Sequence, residues 1–441
     1  MKKQIKVIPR TLPGFMELKP NEQILFNQIK EKIEESYKRF GFLPLDTPIL
    51  ELSEVLLAKA GGETEKQIYR FTRGDDLAMR FDLTVPLAKY VSKNYGELQF
   101  PFRRYQIGKV YRGERPQKGR FREFYQADID IIGDGELSIM NDAEIPSIIY
   151  TTFKNLGFDD FTIRINNRKI LNGLFEYLNI VELSTEIMRI IDKLEKIGKE
   201  NVKLELLKLN IEEEIVDKIL EFISISGNNE EKIEALEKLN IKNEVFEKGF
   251  FELKEVIKYI RLFGVPEGNF SIDLTIARGL DYYTGTVYET FLDNYREIGS
   301  VCSGGRYDNL AENYTDKSLP GVGIAIGVTR LFDQLNDLKL IKTEKESISD
   351  VLVISTSDDV SECLPIANTF RKEGINTEVY MNDKKMKAKF KYADKLKIPY
   401  VAIIGEDELK ENKVSLKNLV TGKQDTINIQ EAVEILKEYN K

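Results

Sequence analysis

The sequence contains no histidine and no tryptophan among its 441 residues, and it has only two cysteines, Cys302 and Cys363. Without histidine the chain cannot build a Ser-His-Asp triad, a histidine-ligated metal site or an imidazole general base. Two cysteines so far apart do not make a disulfide framework, and a zinc site is not expected. Any chemistry must therefore use Arg, Lys, Asp, Glu and Tyr side chains, substrate-bound Mg²⁺ and the substrate itself.

Long apolar runs are also missing, since none approaches the roughly 20 residues that cross a membrane. Lys2, Lys3 and Lys6 give the N-terminus positive charge, but no apolar segment follows, so no signal peptide is predicted. Hydrophobic residues make up 42% and charged residues 31% of the chain, which is typical of soluble globular proteins. We expect a cytoplasmic protein with no membrane partner.

The distribution of charge is uneven. A net charge of −8 argues against nucleic acid binding by the chain as a whole. Residues 101–126, however, hold eight Arg or Lys against two Glu, and residues 384–397 hold seven Lys against one Asp. A solvated face is the favoured explanation of the lysine run alone, whereas the arginines lie among strand-forming aromatic residues. Local contact with nucleic acid therefore remains open.

The chain is long enough for two or three domains. Periodicity predicts a helix over 21–40, and alternation predicts mostly antiparallel strands, which lie at 45–51, 68–71, 78–81, 102–111 and 124–132. Residues 169–263 predict amphipathic helices broken at Gly198, at 227–229 and at Gly249. Strands resume at Phe270, and residues 321–327 predict a strand that leads into a helix. After a polar linker at 341–350, strands and helices alternate, which is typical of a small α/β domain.

Three segments resemble the signature motifs of class II aminoacyl-tRNA synthetases. They are the helix from Asn21 with the strand that contains Pro48, the segments Arg112-Gly113-Glu114 and Arg122-Glu123-Phe124, and the segment Gly321-Val322-Gly323-Ile324-Ala325-Ile326-Gly327-Val328-Thr329-Arg330. Two more, Arg278-Gly279-Leu280-Asp281-Tyr282-Tyr283 and Ser303-Gly304-Gly305-Arg306-Tyr307-Asp308, resemble segments peculiar to histidyl-tRNA synthetases. The resemblance runs from end to end and is weak only in the helical insertion.

The resemblance implies an α+β catalytic domain, with an antiparallel β-sheet flanked by helices, a helical insertion and a C-terminal α/β anticodon-binding domain. The catalytic domain would comprise residues 1–165 and 269–340, the insertion 166–268 and the anticodon-binding domain 349–441. It also implies a homodimer with Pro48 at the interface. The partners would be L-histidine, ATP and histidine tRNA.

The implied activity is activation of histidine by ATP, followed by transfer of histidine to tRNA. Because a carboxylate must approach the α-phosphate, cations have to hold two anions in line, and Arg112 and Arg278 are the catalytic candidates. Adenine would lie between Phe124 and the guanidinium of Arg330, with Glu114 accepting from its amino group. Mg²⁺ would travel on the phosphates with few protein ligands. The carboxylate is already ionised, so the lack of histidine is no obstacle.

The same resemblance implies a histidine pocket of Asp82, Thr84, Arg112, Gln126, Asp130, Arg278, Tyr282 and Tyr283. Asp82, Thr84 and Gln126 would bind the α-ammonium group. Asp130 and Tyr283 would bind the two imidazole nitrogens, one of which offers an N–H while the other needs a partner. Such a buried pair rejects side chains without both nitrogens, because its own polar groups would stay unpaired.

Contacts with tRNA are implied at two places. Arg115 and Gln117, in the loop after Glu114, would read the extra 5′ guanosine of histidine tRNA, since Arg and Gln suit base edges. Lysines of residues 384–397 would hold the anticodon stem through its phosphates. Thr329 stands where the third motif more often has Glu, so no role is expected for it.

Two alternatives stay open at the level of sequence. One is a non-catalytic synthetase-like regulatory subunit of ATP phosphoribosyltransferase, although such subunits typically lack the C-terminal domain and have degraded the tyrosine segment. The other is a class II synthetase for another amino acid. The absence of histidine has two explanations as well. It could be selected, so that translation of the enzyme does not need histidyl-tRNA, or it could reflect drift in composition.

Overall fold

A computed structural model describes residues 8–58, 65–71, 76–276, 282–341, 346–357 and 359–439. The chain divides into two compact units. The large unit contains residues 29–338 and the segment up to residue 16, whereas the small unit contains residues 17–28 and 339 onwards. Among the residues described, no helix combines the length and the apolar character that crossing a membrane would require.

The large unit is built on an eight-stranded sheet with the strand order β1-β4-β5-β10-β9-β8-β6-β7. Its strands, together with the separate pair β2–β3, are β1 Leu43–Pro44, β2 Leu50–Leu52, β3 Leu77–Met79, β4 Phe102–Tyr111, β5 Glu123–Ile132, β6 Phe161–Asn167, β7 Phe270–Ile272, β8 Thr286–Leu292, β9 Cys302–Tyr307 and β10 Gly321–Gly327. Among the strands that the structure describes in this unit, only β1–β4 and β6–β7 pair in parallel. The predicted sheet, antiparallel in its middle, is confirmed.

Helices flank this sheet and fill the segment between β6 and β7. The first helix, α1 Pro20–Arg39, belongs to the large unit from Ile29 onwards. The others of the large unit are α2 Ser53–Leu57, α3 Thr84–Lys93, α4 Met140–Leu156, α5 Arg168–Tyr177, α6 Ser184–Ile191, α7 Leu194–Ile197, α8 Lys199–Leu207, α9 Glu213–Ile223, α10 Asn229–Lys238, α11 Glu244–Leu262 and α12 Val328–Asp337. Ile33 and Tyr37 of α1 are fully buried, and the Tyr37 hydroxyl donates to the carbonyl of Ala127 at 3.0 Å. This helix therefore rests on the middle of β5.

The predicted helix break at Gly249 is wrong, because α11 continues through it. A Cβ on Gly249 would lie 2.8 Å from the backbone nitrogen of Ile170 in α5. A Cβ on Gly173 of α5 would in turn meet the backbone nitrogen of Phe246 in α11. The two glycines let the helix backbones touch, and this packing outweighs the low helix propensity of glycine.

One predicted strand is shorter than expected, and another is reduced to a single bridge. The segment 45–51 forms a strand only at its end, in β2, and the exposed Pro48 lies in the irregular part. Since proline has no N–H to donate, it interrupts a strand ladder. The segment 68–71 makes a single bridge, Arg70 to Ala78, in place of a strand.

The small unit has a five-stranded sheet with the order β12-β11-β13-β14-β15. Its strands and helices are β11 Val351–Ser355, α13 Leu364–Lys372, β12 Thr377–Val379, α14 Met386–Lys395, β13 Tyr400–Ile404, α15 Glu406–Lys410, β14 Lys413–Asn418, β15 Gln424–Asn428 and α16 Ile429–Tyr439. Strand β11 is parallel to β12 and β13, as the alternation predicts. In the lysine-rich α14, Lys389 is buried and its ammonium donates to the carbonyl of Ser355 at 2.8 Å.

Candidate active site

Arg112 follows directly on β4, at the turn of the β4–β5 hairpin. Its Nε donates to the carbonyl of Phe81 at 3.0 Å, and its guanidinium carbon lies 5.2 Å from the centre of the Phe124 ring. Its backbone N–H donates to the carbonyl of Arg122 on the return strand at 2.9 Å. The hydrogen bonds and the ring together hold this cation at one position above the sheet.

Two cavities adjoin at Arg112. The inner cavity has a volume of about 350 Å³ and the outer cavity about 500 Å³. The residues that line both are Arg112, Gln126, Ser300, Ser303, Ala325 and Arg330. The two spaces therefore meet along a wall that carries two guanidinium groups, those of Arg112 and Arg330.

The inner cavity gathers the predicted histidine-binding residues that the structure describes. These are Asp82, Thr84, Arg112, Gln126, Asp130, Tyr282 and Tyr283. They come from the segment that leads into α3, from the residue after β4, from β5 and from the segment before β8, which are distant in sequence. Arg278, predicted both for catalysis and for this pocket, lies outside the described residues.

Several acceptors of this cavity lack hydrogen-bond partners among the residues that the structure describes, and those of Asp82 and Gln126 are two of them. Asp82 is 3% exposed; its Oδ1 accepts from the N–H of Val85 at 3.1 Å, while its Oδ2 accepts no hydrogen bond. Oε1 of Gln126 is likewise buried without a partner. Burial raises the pKa of Asp82 to about 6. A donor with positive charge in this cavity would satisfy both oxygens.

Asp130 is tied to two residues that the sequence reasoning missed. Its Oδ1 accepts from the Tyr307 hydroxyl at 2.7 Å, and its Oδ2 forms an ion pair with Arg104, although not with the geometry of a hydrogen bond. Burial raises the pKa of Asp130 to about 6, while Arg104 and Tyr307 oppose the rise. The signal for Arg104 was its cross-strand position, since it pairs with Asp130 in the β4–β5 register.

Three tyrosine rings in mutual contact are among the residues that line the inner cavity. Tyr282 and Tyr283 meet edge to face with ring centres 4.9 Å apart, and Tyr282 meets Tyr307 in the same way at 5.8 Å. Burial raises the pKa of all three phenols, so each keeps its proton. The cavity is therefore lined by both protonated phenols and carboxylates, and the Tyr307 hydroxyl is already bonded to Asp130.

Gly323 of β10 makes space for this arrangement. A Cβ at this position would collide with Oδ1 of Asp130 and with the carbonyl of Ile129 on the neighbouring strand. Glycine is therefore required at position 323, because the carboxylate of Asp130 occupies the space that a Cβ would fill.

The outer cavity contains the predicted adenine-binding residues Glu114, Phe124 and Arg330. The guanidinium of Arg330 donates to the carbonyl of Ile298. Oε2 of Glu114 lies 3.6 Å from a guanidinium nitrogen of Arg120, in the loop that covers the cavity. The outer cavity is thus lined by aromatic rings, three guanidinium groups and one carboxylate, which suits a planar ligand that carries negative charge.

Thr329 has a structural partner that sequence reasoning did not foresee. Its side chain is buried, and its hydroxyl oxygen accepts from the backbone N–H of Tyr125 at 2.8 Å. The bond fixes the start of α12 against β5, next to Phe124. Arg330 follows Thr329 directly, so this contact positions both sides of the outer cavity.

Arg115 and Gln117, predicted to contact tRNA, lie apart from the two cavities. Both are exposed at the tip of the β4–β5 hairpin, where Gln117 and Arg120 form a bridge. Within the described ranges, no three Asp, Glu or Cys side chains converge as metal ligands would.

Comparison with known proteins gives consistent results for both units. The model of the family described as histidyl-tRNA synthetase matches residues 14–331, and the model of the anticodon binding domain matches residues 350–439. A protein named histidine–tRNA ligase, from Clostridium tetani, is 61% identical over 439 residues, which cover 99% of this chain and 100% of that protein.

Solved structures agree. A crystal structure of histidyl-tRNA synthetase from Nostoc sp. PCC 7120 has 39% sequence identity and a TM-score of 0.89, and the match covers 98% of this chain and 100% of that one. An ATP phosphoribosyltransferase regulatory subunit/histidyl-tRNA synthetase from Bacillus halodurans C has 20% identity and a TM-score of 0.74, over 91% of this chain and 99% of that one, which is a likeness of fold alone. The chain therefore belongs to the histidyl-tRNA synthetase family.

Proposed function

We propose that the protein is a histidine–tRNA ligase, which activates L-histidine with ATP and then transfers the histidine to the 3′ end of histidine tRNA. The observation that carries the proposal is the inner cavity, which is lined by tyrosines, by Arg112 and by carboxylate and amide oxygens that have no hydrogen-bond partner in the described part of the chain. The 61% identity to a histidine–tRNA ligase over nearly the whole chain supports the same activity.

Arg112 is proposed to bring the two reactants together, since it lines both cavities. A carboxylate oxygen of histidine attacks the α-phosphorus of ATP, the bond from that phosphorus to the bridging oxygen breaks, and pyrophosphate leaves. A fixed guanidinium lowers the repulsion between the two anions and stabilises the charge that builds up on the phosphoryl oxygens. By the family resemblance, Arg278 would supply a second cation there.

ATP is proposed to occupy the outer cavity, with its adenine between the Phe124 ring and the guanidinium of Arg330 and its amino group near Glu114. The guanidinium of Arg112 lies over the Phe124 ring. The position of this cation relative to the phosphates therefore depends on the position of the ring on which adenine would stack. Mg²⁺ is expected to arrive on the phosphates of ATP as part of the substrate. No zinc is proposed.

The α-ammonium of histidine is proposed to bind Asp82, Thr84 and Gln126. Oδ2 of Asp82 and Oε1 of Gln126 are buried acceptors without partners in the described part of the chain, and an ammonium group brings three donors. The imidazole ring would then extend toward Asp130 and Tyr283, a carboxylate and a phenol that keeps its proton.

Transfer to tRNA is proposed to use the hairpin tip and the small unit. Arg115 and Gln117 are exposed and free of the cavities, as residues that read an acceptor end must be. Most lysines of α14 are exposed, which suits phosphate contacts. The anticodon binding domain model over residues 350–439 supports the assignment of this unit.

The domain division is also a proposal. Helices α5–α11 lie within the proposed insertion, residues 166–268, between catalytic parts 1–165 and 269–340. The proposed anticodon-binding domain, 349–441, begins one residue before the second family match. A cytoplasmic location is proposed because the substrates and the translation machinery are there.

A homodimer is proposed on the apolar surface around Pro48. The large side chains Leu43, Ile49, Leu50 and Leu52 are between 40% and 58% exposed. They lie on β1, on β2 and on the segment between them. Apolar residues clustered in this way typically mark an interface. Sedimentation or light scattering of the full chain tests this: replacement of Leu50 and Leu52 by Lys should shift a dimer toward monomer.

The regulatory-subunit alternative is disfavoured because the tyrosine pair lines a formed cavity and the anticodon-binding unit is present. The decisive experiment is pyrophosphate exchange into ATP with each of the twenty amino acids supplied singly and no tRNA present. Exchange with histidine alone is expected, and Arg112→Ala should abolish it. No exchange with any amino acid would favour the regulatory subunit, and exchange with a different one would indicate another synthetase.

A further inference from the structure

Asp128 is a buried carboxylate that the assignments above do not use. It lies between Gln126 and Asp130 on the same face of β5, because side chains alternate along a strand. It is 2% exposed and lines the inner cavity. Its Oδ1 has no hydrogen-bond partner among the residues that the structure describes.

A buried carboxylate without a hydrogen-bond partner lowers the free energy of unfolding of the protein. Burial raises the pKa of Asp128 well above its ordinary value; the charge of Arg104 opposes the rise, whereas Asp130 and Asp82 add to it. Asp130 in the same wall has Tyr307 and Arg104 within bonding distance, but no comparable partner is found for Asp128 in the described ranges. A carboxylate of this kind stabilises a bound donor more than it stabilises the fold.

The position of Asp128 indicates which donor it meets. Gln126 lines both cavities, whereas Asp128 and Asp130 line only the inner one. Along β5, Asp128 is therefore on the Asp130 side of the junction between the cavities, in the part of the inner cavity that Tyr283 also lines.

Resting on the proposed function, we propose that Asp128 is a second specificity-determining carboxylate, which accepts a hydrogen bond from a ring N–H of the bound histidine. Asp130 and Asp128 would then both contact the imidazole ring of histidine. Tyr307 and Arg104 hold the carboxylate of Asp130 in position. The pocket would thereby reject side chains that fill the same volume but have no N–H, since Asp128 would stay buried and unpaired.

The test is Asp128→Asn in the full-length protein, which keeps the shape and removes the charge. Loss of a hydrogen bond to a charged group should raise KM for histidine about ten- to a hundred-fold in pyrophosphate exchange. KM for ATP should not change. Without histidine, the midpoint of thermal unfolding should be equal to or above that of the wild type, because a buried charge has been removed.

Asp142→Asn is the matched control. Asp142 is also a fully buried aspartate, but Arg306 donates to both of its oxygens at 2.6–3.1 Å and it does not line the cavity. We expect this variant to unfold at a lower temperature with an unchanged KM for histidine. The same pattern in Asp128→Asn, including a failure to fold, would assign Asp128 to the fold and overturn the proposal.

Methylated substrates give a second readout, which a structural role would not move. Histidine, Nδ1-methylhistidine and Nε2-methylhistidine are compared as exchange substrates or competitors of wild type and Asp128→Asn. If Asp128 accepts from one ring nitrogen, the substitution should weaken histidine but not the analogue that is methylated there. Equal weakening of all three overturns the proposal. Absence of exchange by the wild type with histidine would instead refute the proposed function.

Discussion

The Tyr307 hydroxyl donates a 2.7 Å hydrogen bond to Oδ1 of Asp130, and this contact ties β9 to β5 inside the inner cavity. Tyr307→Phe removes the bond and leaves the carboxylate with Arg104 alone. Because the bond lowers the pKa of Asp130, its loss should raise that pKa, and KM for histidine should rise about ten-fold near neutral pH. Pyrophosphate exchange at several pH values measures both effects.

Tyr37→Phe is the control for this change. Tyr37 is also fully buried, and its hydroxyl donates to a backbone carbonyl at 3.0 Å. Both variants should lose about 1 kcal/mol of unfolding free energy. If the two variants had the same KM for histidine, the Tyr307–Asp130 bond would be structural only.

Histidine binding should depend on pH through Asp82. Burial raises the pKa of Asp82 to about 6, from an ordinary 3.8, so the protonated form is favoured in the fold. Stability from this group is therefore present below pH 4 and is lost as pH rises toward 6. Binding of an ammonium has the opposite sign, because it needs the ionised carboxylate. KM for histidine should thus increase as pH falls below 6.

Asp130 also has a pKa of about 6, and free histidine itself titrates near pH 6.5. Comparison with Asp82→Asn isolates the contribution of Asp82. The variant should have a raised KM for histidine with a flatter dependence on pH between about 5 and 7. A profile parallel to that of the wild type would remove Asp82 from the ammonium site.

Thr329→Val should weaken ATP binding through the backbone. It leaves the N–H of Tyr125 without its 2.8 Å acceptor, beside Phe124, the residue proposed to stack on adenine. An unfolding free energy lower by about 1–2 kcal/mol is expected, together with a several-fold rise in KM for ATP. Thr329→Ser keeps the hydroxyl and should restore both values. If Val and Ser behaved alike, the hydroxyl would not matter.

Gly173→Ala should destabilise the large unit by about 1–3 kcal/mol, because a methyl group would press on the backbone of α11 at Phe246. Gly96→Ala is the control, since a Cβ at Gly96 has no atom within 4 Å. Its effect should stay within about 0.5 kcal/mol. Thermal or urea unfolding of the two variants measures the difference.

The hairpin that carries Arg112 and Phe124 was predictable, because two alternating runs flank a basic, glycine-containing loop. Alternation also puts Gln126, Asp128 and Asp130 on one face. It does not give the register with β4, so the pairing of Arg104 with Asp130 was missed. Whether Asp128 has a partner depends on side chains from distant elements, which a single segment cannot reveal.

Other misses have a similar physical origin. Gly249 was expected to end a helix on propensity, but a close crossing with α5 decides its conformation. Thr329 stands where the third motif more often has Glu, so no role was expected for it. Its hydroxyl nevertheless accepts a hydrogen bond from a backbone N–H. Both outcomes are set by tertiary contacts that local pattern does not contain.

Strand β5 pairs with β4 over ten residues and with β10 over seven, so both of its edges are occupied where the acceptors of the inner cavity lie. Backbone amides in such a position exchange with deuterium only when a large part of the unit opens. Amides of residues 126–130 should therefore be among the slowest to exchange even without substrate. The β5 residues of the cavity would therefore already be ordered before an amino acid binds. The affinity is then not reduced by a loss of conformational entropy in this strand.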